Sequence, residues 1–109
     1  MAKELLGAFE HRVLLATLQI GKDAYTASVV EELEMRTGRE AAPAATFIAL
    51  QRLERRGLVE SEVRVNAEAG DRRPRRYFRA TDEARTLLQE EQRELEALWK
   101  GLDPLEARG

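Results

Sequence analysis

The chain has 109 residues, 43% apolar and 35% charged, with a formal net charge of -2. That length suits one domain, and that apolar share fills one core, which excludes wholesale disorder. Cysteine is absent, so a disulfide framework, a thiolate nucleophile and a Cys-based zinc site are excluded. The uncharged stretches, such as Val13 to Gly21, are far short of a membrane span, and the region after Met1 lacks a signal peptide's pattern. A soluble, cytoplasmic protein is the expectation. A chain this short buries only about two-thirds of its unfolded surface, so a partner subunit is expected too.

Leu5 to Ile20 reads as a helix. Leu6, Phe9, Val13, Ala16 and Ile20 recur on one face, while Leu14, Leu15 and Leu18 line another. The second half is apolar nearly all round, the mark of a helix covered on both sides. One small domain covers one side, so a second element must cover the other. Gly21 stops this helix. Asp23 is the expected cap of a second helix, Tyr25 to Thr37, with Tyr25, Val29, Val30 and Leu33 inward. Gly38 ends it, and Arg39 to Ala42 is a short connection.

Pro43 suits the first turn of a third helix, which runs to about Arg56 and stops at Gly57. With Leu50 at the centre of its inward face, Thr46, Phe47, Leu53 and Glu54 are expected inward. Ile48, Arg52 and Arg55 are expected outward, flanked by Ala44, Ala45 and Gln51. Leu58 to Val65 reads as a strand, Asn66 to Pro74 as a loop, and Arg75 to Ala80 as the return strand of a hairpin. Thr81 is a good cap for a fourth helix running to about Lys100, with Asp82 and Glu83 at the positive end of its dipole. Its apolar stripe is Ala84, Leu87, Leu88, Leu95, Leu98, Trp99 and Leu102, interrupted by Glu91.

Charge is unevenly spread. From Arg64 to Arg79 six arginines stand against two acids; from Asp82 to Leu98 six acids stand against two arginines. Local clusters, not the net sum, steer phosphate. The acidic run is read as a solvated helix face. The arginines, gathered on a turn-like segment, are read as a binding patch.

Three helices, a hairpin and a long last helix imply a mainly α fold with a small β-hairpin: a winged helix-turn-helix with a long C-terminal dimerisation helix. The expected divisions are a winged-helix unit over 1–80, the dimerisation helix over 81–103 and a flexible tail over 104–109. A helix of this diameter fits the major groove. Its exposed face offers Arg52 and Arg55 for guanine or phosphate, Gln51 for adenine and Ile48 for a thymine methyl. Ala44 and Ala45 let the backbone approach closely. Arg72, Arg73, Arg75 and Arg76 at the hairpin would meet backbone or the minor groove.

The stretch Ala44-Ala45-Thr46-Phe47-Ile48-Ala49-Leu50-Gln51-Arg52-Leu53-Glu54-Arg55-Arg56-Gly57-Leu58-Val59 resembles the recognition helix and first wing strand of PadR-like winged-helix transcriptional regulators. Ala24-Tyr25 and Arg73-Pro74-Arg75-Arg76-Tyr77-Phe78-Arg79-Ala80-Thr81 carry the same resemblance, in the same order. The chain resembles the short-form members. It departs from them at Phe47, where tyrosine is frequent, at Thr26, where glycine is, and at Gly70-Asp71, where paired glycines are. The resemblance implies a dimer, usually a repressor, on double-stranded DNA with a pseudo-palindromic operator. It implies a dimer interface of Leu14, Leu15, Leu18, Leu88, Leu95, Leu98, Trp99 and Leu102. Some relatives bind flat aromatic compounds. Trp99 has no second aromatic on its helix, so it is read as packing and a small-molecule effector stays unassigned.

His11 lacks the partners a metal site needs, so neither a metal nor another cofactor is expected. Ser28 and Ser61 have no sequence-level base, and there is no glycine-rich phosphate loop. An enzyme is not expected. A different class, a winged-helix protein-interaction module without DNA binding, stays open because the chain is acidic overall and the third helix starts without charge.

Overall fold

A computed structural model describes residues 6–66 and 71–102. Its elements are α1 (Ala8–Ile20), α2 (Thr26–Thr37), α3 (Pro43–Arg55), β1 (Val59–Asn66), β2 (Asp71–Ala80) and α4 (Asp82–Trp99). The expected fold class is present: four helices around an antiparallel hairpin. Expectations for residues 1–5, 67–70 and 103–109 lie outside the described residues.

One core joins all six elements. Val13, Leu14 and Ala16 of α1 pack with Val29 and Leu33 of α2 and with Ala49, Leu50 and Leu53 of α3. Val59 and Phe78 cover this cluster from the hairpin; Ala84, Leu87 and Leu88 cover it from α4. Each fully buried aliphatic side chain contributes about 1.5–3 kcal/mol. Thr17 and Thr46 are also buried. Their hydroxyls donate to Val13 O at 2.8 Å and Ala42 O at 2.9 Å, four residues back, so neither hydroxyl lacks a partner.

Local chemistry sets the ends of the elements. Pro43 occupies the first turn of α3, where its missing N–H is no loss. Gly38 closes α2 at φ 71° and Gly57 turns α3 into β1 at φ 75°, both in the left-handed region that favours glycine. The Thr81 side chain accepts from Ala84 N at the start of α4, as expected. Asp23 does not cap α2. Tyr25 is the N-cap, and its N–H donates to Ser28 Oγ at 2.9 Å, while Asp23 pairs with Arg64 instead.

The hairpin is longer than the sequence reading. β2 begins at Asp71 rather than Arg75, and its pairing with β1 slips between Arg64 and Asn66. Residues 72–74 therefore face Val65 alone across a bulge. Pro74 sits in that bulge, where its lack of an N–H breaks no ladder bond. At the other end, Phe78 N donates to Ala24 O at 2.8 Å, so the segment before α2 flanks β2 and ties the hairpin to the helices.

Candidate nucleic-acid interface

α3 is turned relative to the sequence reading. Thr46, Ala49, Leu50 and Leu53 are its buried residues. At about 100° per residue, these centre the inward face some 50° away from Leu50, on the side of Ala49. Phe47 and Glu54, expected inward, are exposed. Their partners on the hairpin draw them sideways: Phe47 reaches to Phe78, with ring centroids 6.5 Å apart, and Glu54 accepts from Ser61 Oγ at 2.6 Å. The row farthest from the core is then Ala44, Ile48, Gln51 and Arg55, all exposed. Ala45 and Arg52 are exposed on its α1 side. Arg52 is not directed straight outward; its Nη1 lies 3.7 Å from Glu10 Oε2 of α1.

The hairpin stands beside this row, and its arginines divide into two kinds. Arg64 and Arg75 are cross-strand partners, both half-buried. The Arg64 guanidinium lies 3.8 Å from the Tyr77 ring centre, and the Arg75 guanidinium 4.4 Å from that of Tyr25. The two tyrosine rings meet edge to face at 5.6 Å. Arg64 also donates to Lys22 O at 2.6 Å and Asp23 Oδ1 at 3.1 Å. The series Arg64, Tyr77, Tyr25, Arg75 thus runs from the hairpin to the start of α2 and fixes the hairpin's lean. Arg75, expected at DNA, is a member of this stack.

Arg72, Arg73 and Arg76 are exposed. Arg76 Nη1 donates to Ser61 Oγ at 2.9 Å, and through Ser61 connects to Glu54 on α3. Arg79 sits at the hairpin base against Glu60, at 2.8 Å; that hydrogen bond and the charge of Glu60 raise its pKa above the ordinary arginine value. The arrangement presents cations flanking an exposed helix face. Sequence reading missed Tyr25, Tyr77 and Arg64 as the residues that set the hairpin, because their pairing joins segments more than forty positions apart.

The face between α1 and α4 has a different character. Leu15, Leu95, Leu98, Trp99 and Leu102 are exposed, Leu98 at 74% and Trp99 at 57%. Leu18 is half-buried. Of the residues expected at an interface, Leu14, at 0%, and Leu88, at 5%, belong to the core of this chain, and Leu88 also lines the groove between α1 and α4. At about 100° per residue Leu14 lies about 40° from Leu18 and about 60° from Thr17, on the boundary between the two faces, and the core takes it. Glu91 interrupts the stripe of α4 for a reason. It is buried, 3.1 Å from His11 Nδ1, and accepts from Leu6 N at 3.3 Å. Among the described residues no cluster of His, Cys, Asp or Glu could hold a metal, and no helix is long and apolar enough to cross a membrane.

The model of the transcriptional regulator PadR-like family matches residues 14–90. The chain belongs to this family. A solved PadR family transcriptional regulator from Eggerthella lenta DSM 2243 is 28% identical, with a TM-score of 0.66 over 86% of this chain and 83% of that one. A PadR family transcription regulator from Clostridium difficile R20291 is 21% identical, with a TM-score of 0.67 over 83% of this chain and 91% of the other. A PadR-like transcriptional regulator from Bacillus cereus ATCC 14579 is 18% identical, with a TM-score of 0.66 over 87% and 94%. No protein of curated function matches the chain. The PadR-like family and these neighbours are transcriptional regulators, not enzymes. The winged helix-turn-helix is therefore a regulator's fold.

Proposed function

We propose that this PadR-like chain is a dimeric, sequence-specific DNA-binding repressor that acts in the cytoplasm. α3 enters the major groove with Ala44, Ala45, Ile48, Gln51 and Arg55 toward the bases, and Arg52 toward the groove wall. Arg72, Arg73 and Arg76 of the hairpin meet backbone or the minor groove, while Arg75 holds the hairpin in place. The observation that carries this reading is the continuity of one exposed helix row with an arginine-bearing hairpin locked beside it by Tyr25 and Tyr77. Cations on phosphates give affinity; the helix row gives sequence preference.

The second copy covers Leu15, Leu18, Leu95, Leu98, Trp99 and Leu102. Exposed leucines and a tryptophan on one face are costly in water, and a twin helix is the simplest cover. Two copies then read a pseudo-palindrome whose half-sites lie about one or two helical turns apart. The groove between α1 and α4, lined by His11, Leu15, Leu18, Leu95 and Trp99, is where a small-molecule effector would act on the dimer.

Fluorescence polarisation with duplex DNA from the gene's own upstream region, at moderate salt, tests the proposal. Retention of that duplex against competitor DNA supports a repressor acting on its own promoter. An equal, flat response to every duplex contradicts it and leaves a winged-helix protein-interaction module.

A further inference from the structure

The first two turns of α3 carry no hydrogen-bonding side chain on their outer side. Pro43, Ala44, Ala45, Phe47 and Ile48 are the exposed residues there, Ile48 at 47% and Phe47 at 37%. The one hydroxyl in this stretch, Thr46, is buried and donates back to Ala42 O at 2.9 Å. Donors begin only at Gln51, one turn further on, and Arg52 is drawn aside toward Glu10 at 3.7 Å. A helix that leads with an exposed isoleucine between alanines cannot read amides, amines or carbonyls along a base edge. The major groove offers it one apolar group, the 5-methyl of thymine.

We infer that Ile48, framed by Ala44 and Ala45, is a thymine-methyl reader, and that Gln51 reads an adenine in the neighbouring base pair. The inference rests on the DNA-binding reading above and names what that site recognises. Three features of the face favour thymine within a duplex. The alanines bring the backbone close without filling the space a methyl needs. Arg55, exposed on the same row two turns beyond Ile48, brings positive charge to the face, as a groove walled by phosphates requires. Gln51 has the amide that pairs with adenine through N6 and N7, so methyl and adenine readers stand one helical turn apart, matched to an A·T-rich step. Over a G·C pair the same isoleucine would strip water from polar edges and return no hydrogen bond.

The test uses the full chain and a randomised duplex library. Selection is expected to enrich half-sites with a thymine beside an adenine. Replacing the enriched thymines with deoxyuridine should weaken binding by about fourfold for each methyl read, the worth of one buried methyl group. Ile48→Ala should bind thymine and deoxyuridine duplexes alike, with its melting temperature unchanged, because Ile48 lies outside the core. Equal binding of both duplexes by the unaltered protein overturns the inference. Insensitivity to deoxyuridine with a gain on 5-methylation of cytosine overturns the assignment to thymine. Failure to enrich any sequence overturns the DNA-binding reading itself, a result distinct from the other two.

Discussion

A tyrosine ring gives an arginine a flat, electron-rich face, and Tyr25 and Tyr77 each hold one guanidinium in that way. Tyr25→Phe keeps the face and should stay within about 0.5 kcal/mol of the parent in urea unfolding. Tyr25→Leu removes it and should lose about 1–2 kcal/mol, with weaker DNA binding as the hairpin loosens. Equal behaviour of the two variants would deny the ring its role. This stack is not legible in the sequence. There, Tyr25 reads as an inward helix residue, Tyr77 as a strand residue and Arg75 as a DNA contact. Burial of a ring follows from local pattern, but the guanidinium over Tyr77 comes from the facing strand, and the one over Tyr25 from the hairpin, far along the chain. Leu14 shows the same limit. It stands among apolar neighbours on every side, so periodicity does not separate it from Leu15. Leu14→Ala should cost about 2–5 kcal/mol of monomer stability, whereas Leu15→Ala should cost less than about 1 kcal/mol, measured by chemical unfolding.

At the level of elements, the order and type of all six are legible, because capping and stop signals coincide with the hydrophobic period. Pro43, Gly38, Gly57 and Thr81 each stand where the helix boundaries fall. The extent of β2 is not, because Pro74 reads as a loop residue until a bulge gives it a place. The roll of α3 differs from the expected one by about half a residue's turn, since centring the face on Leu50 ignores how closely the small Ala49 packs. α4 owes its seating to Ala84, Leu87, Leu88 and Glu91, all in its first ten residues. The second half projects from the core. Glu91 is the last of these anchors, and its partners, His11 and Leu6 N, belong to α1 and its approach. Glu91→Ala should leave both without an acceptor, cost about 1–3 kcal/mol, and speed amide exchange in α4 beyond position 91. Unchanged exchange there would mean that another contact holds the helix.

The whole molecule presents two surfaces with opposite demands. One, the α3 row and the hairpin, is basic at its margins and suits a polyanion. The other, along α1 and the end of α4, is apolar and suits a second copy. The net charge of -2 conceals this separation, because α4 alone carries six of the acids. Light scattering should give the mass of a dimer, and Leu98→Glu with Trp99→Glu should shift it to a monomer that remains folded, because both side chains lie outside the core. A dimer that survives both changes would place the interface elsewhere. The central claim is that exposed hairpin arginines hold DNA phosphates beside α3. The most direct measurement is the salt dependence of affinity for an upstream duplex, for the parent and for a variant with Arg72, Arg73 and Arg76 replaced by alanine. Affinity should fall at every salt concentration, and the slope of log affinity against log salt should flatten by roughly 0.9 for each phosphate that the variant leaves unneutralised. Parallel lines of equal affinity would contradict the account.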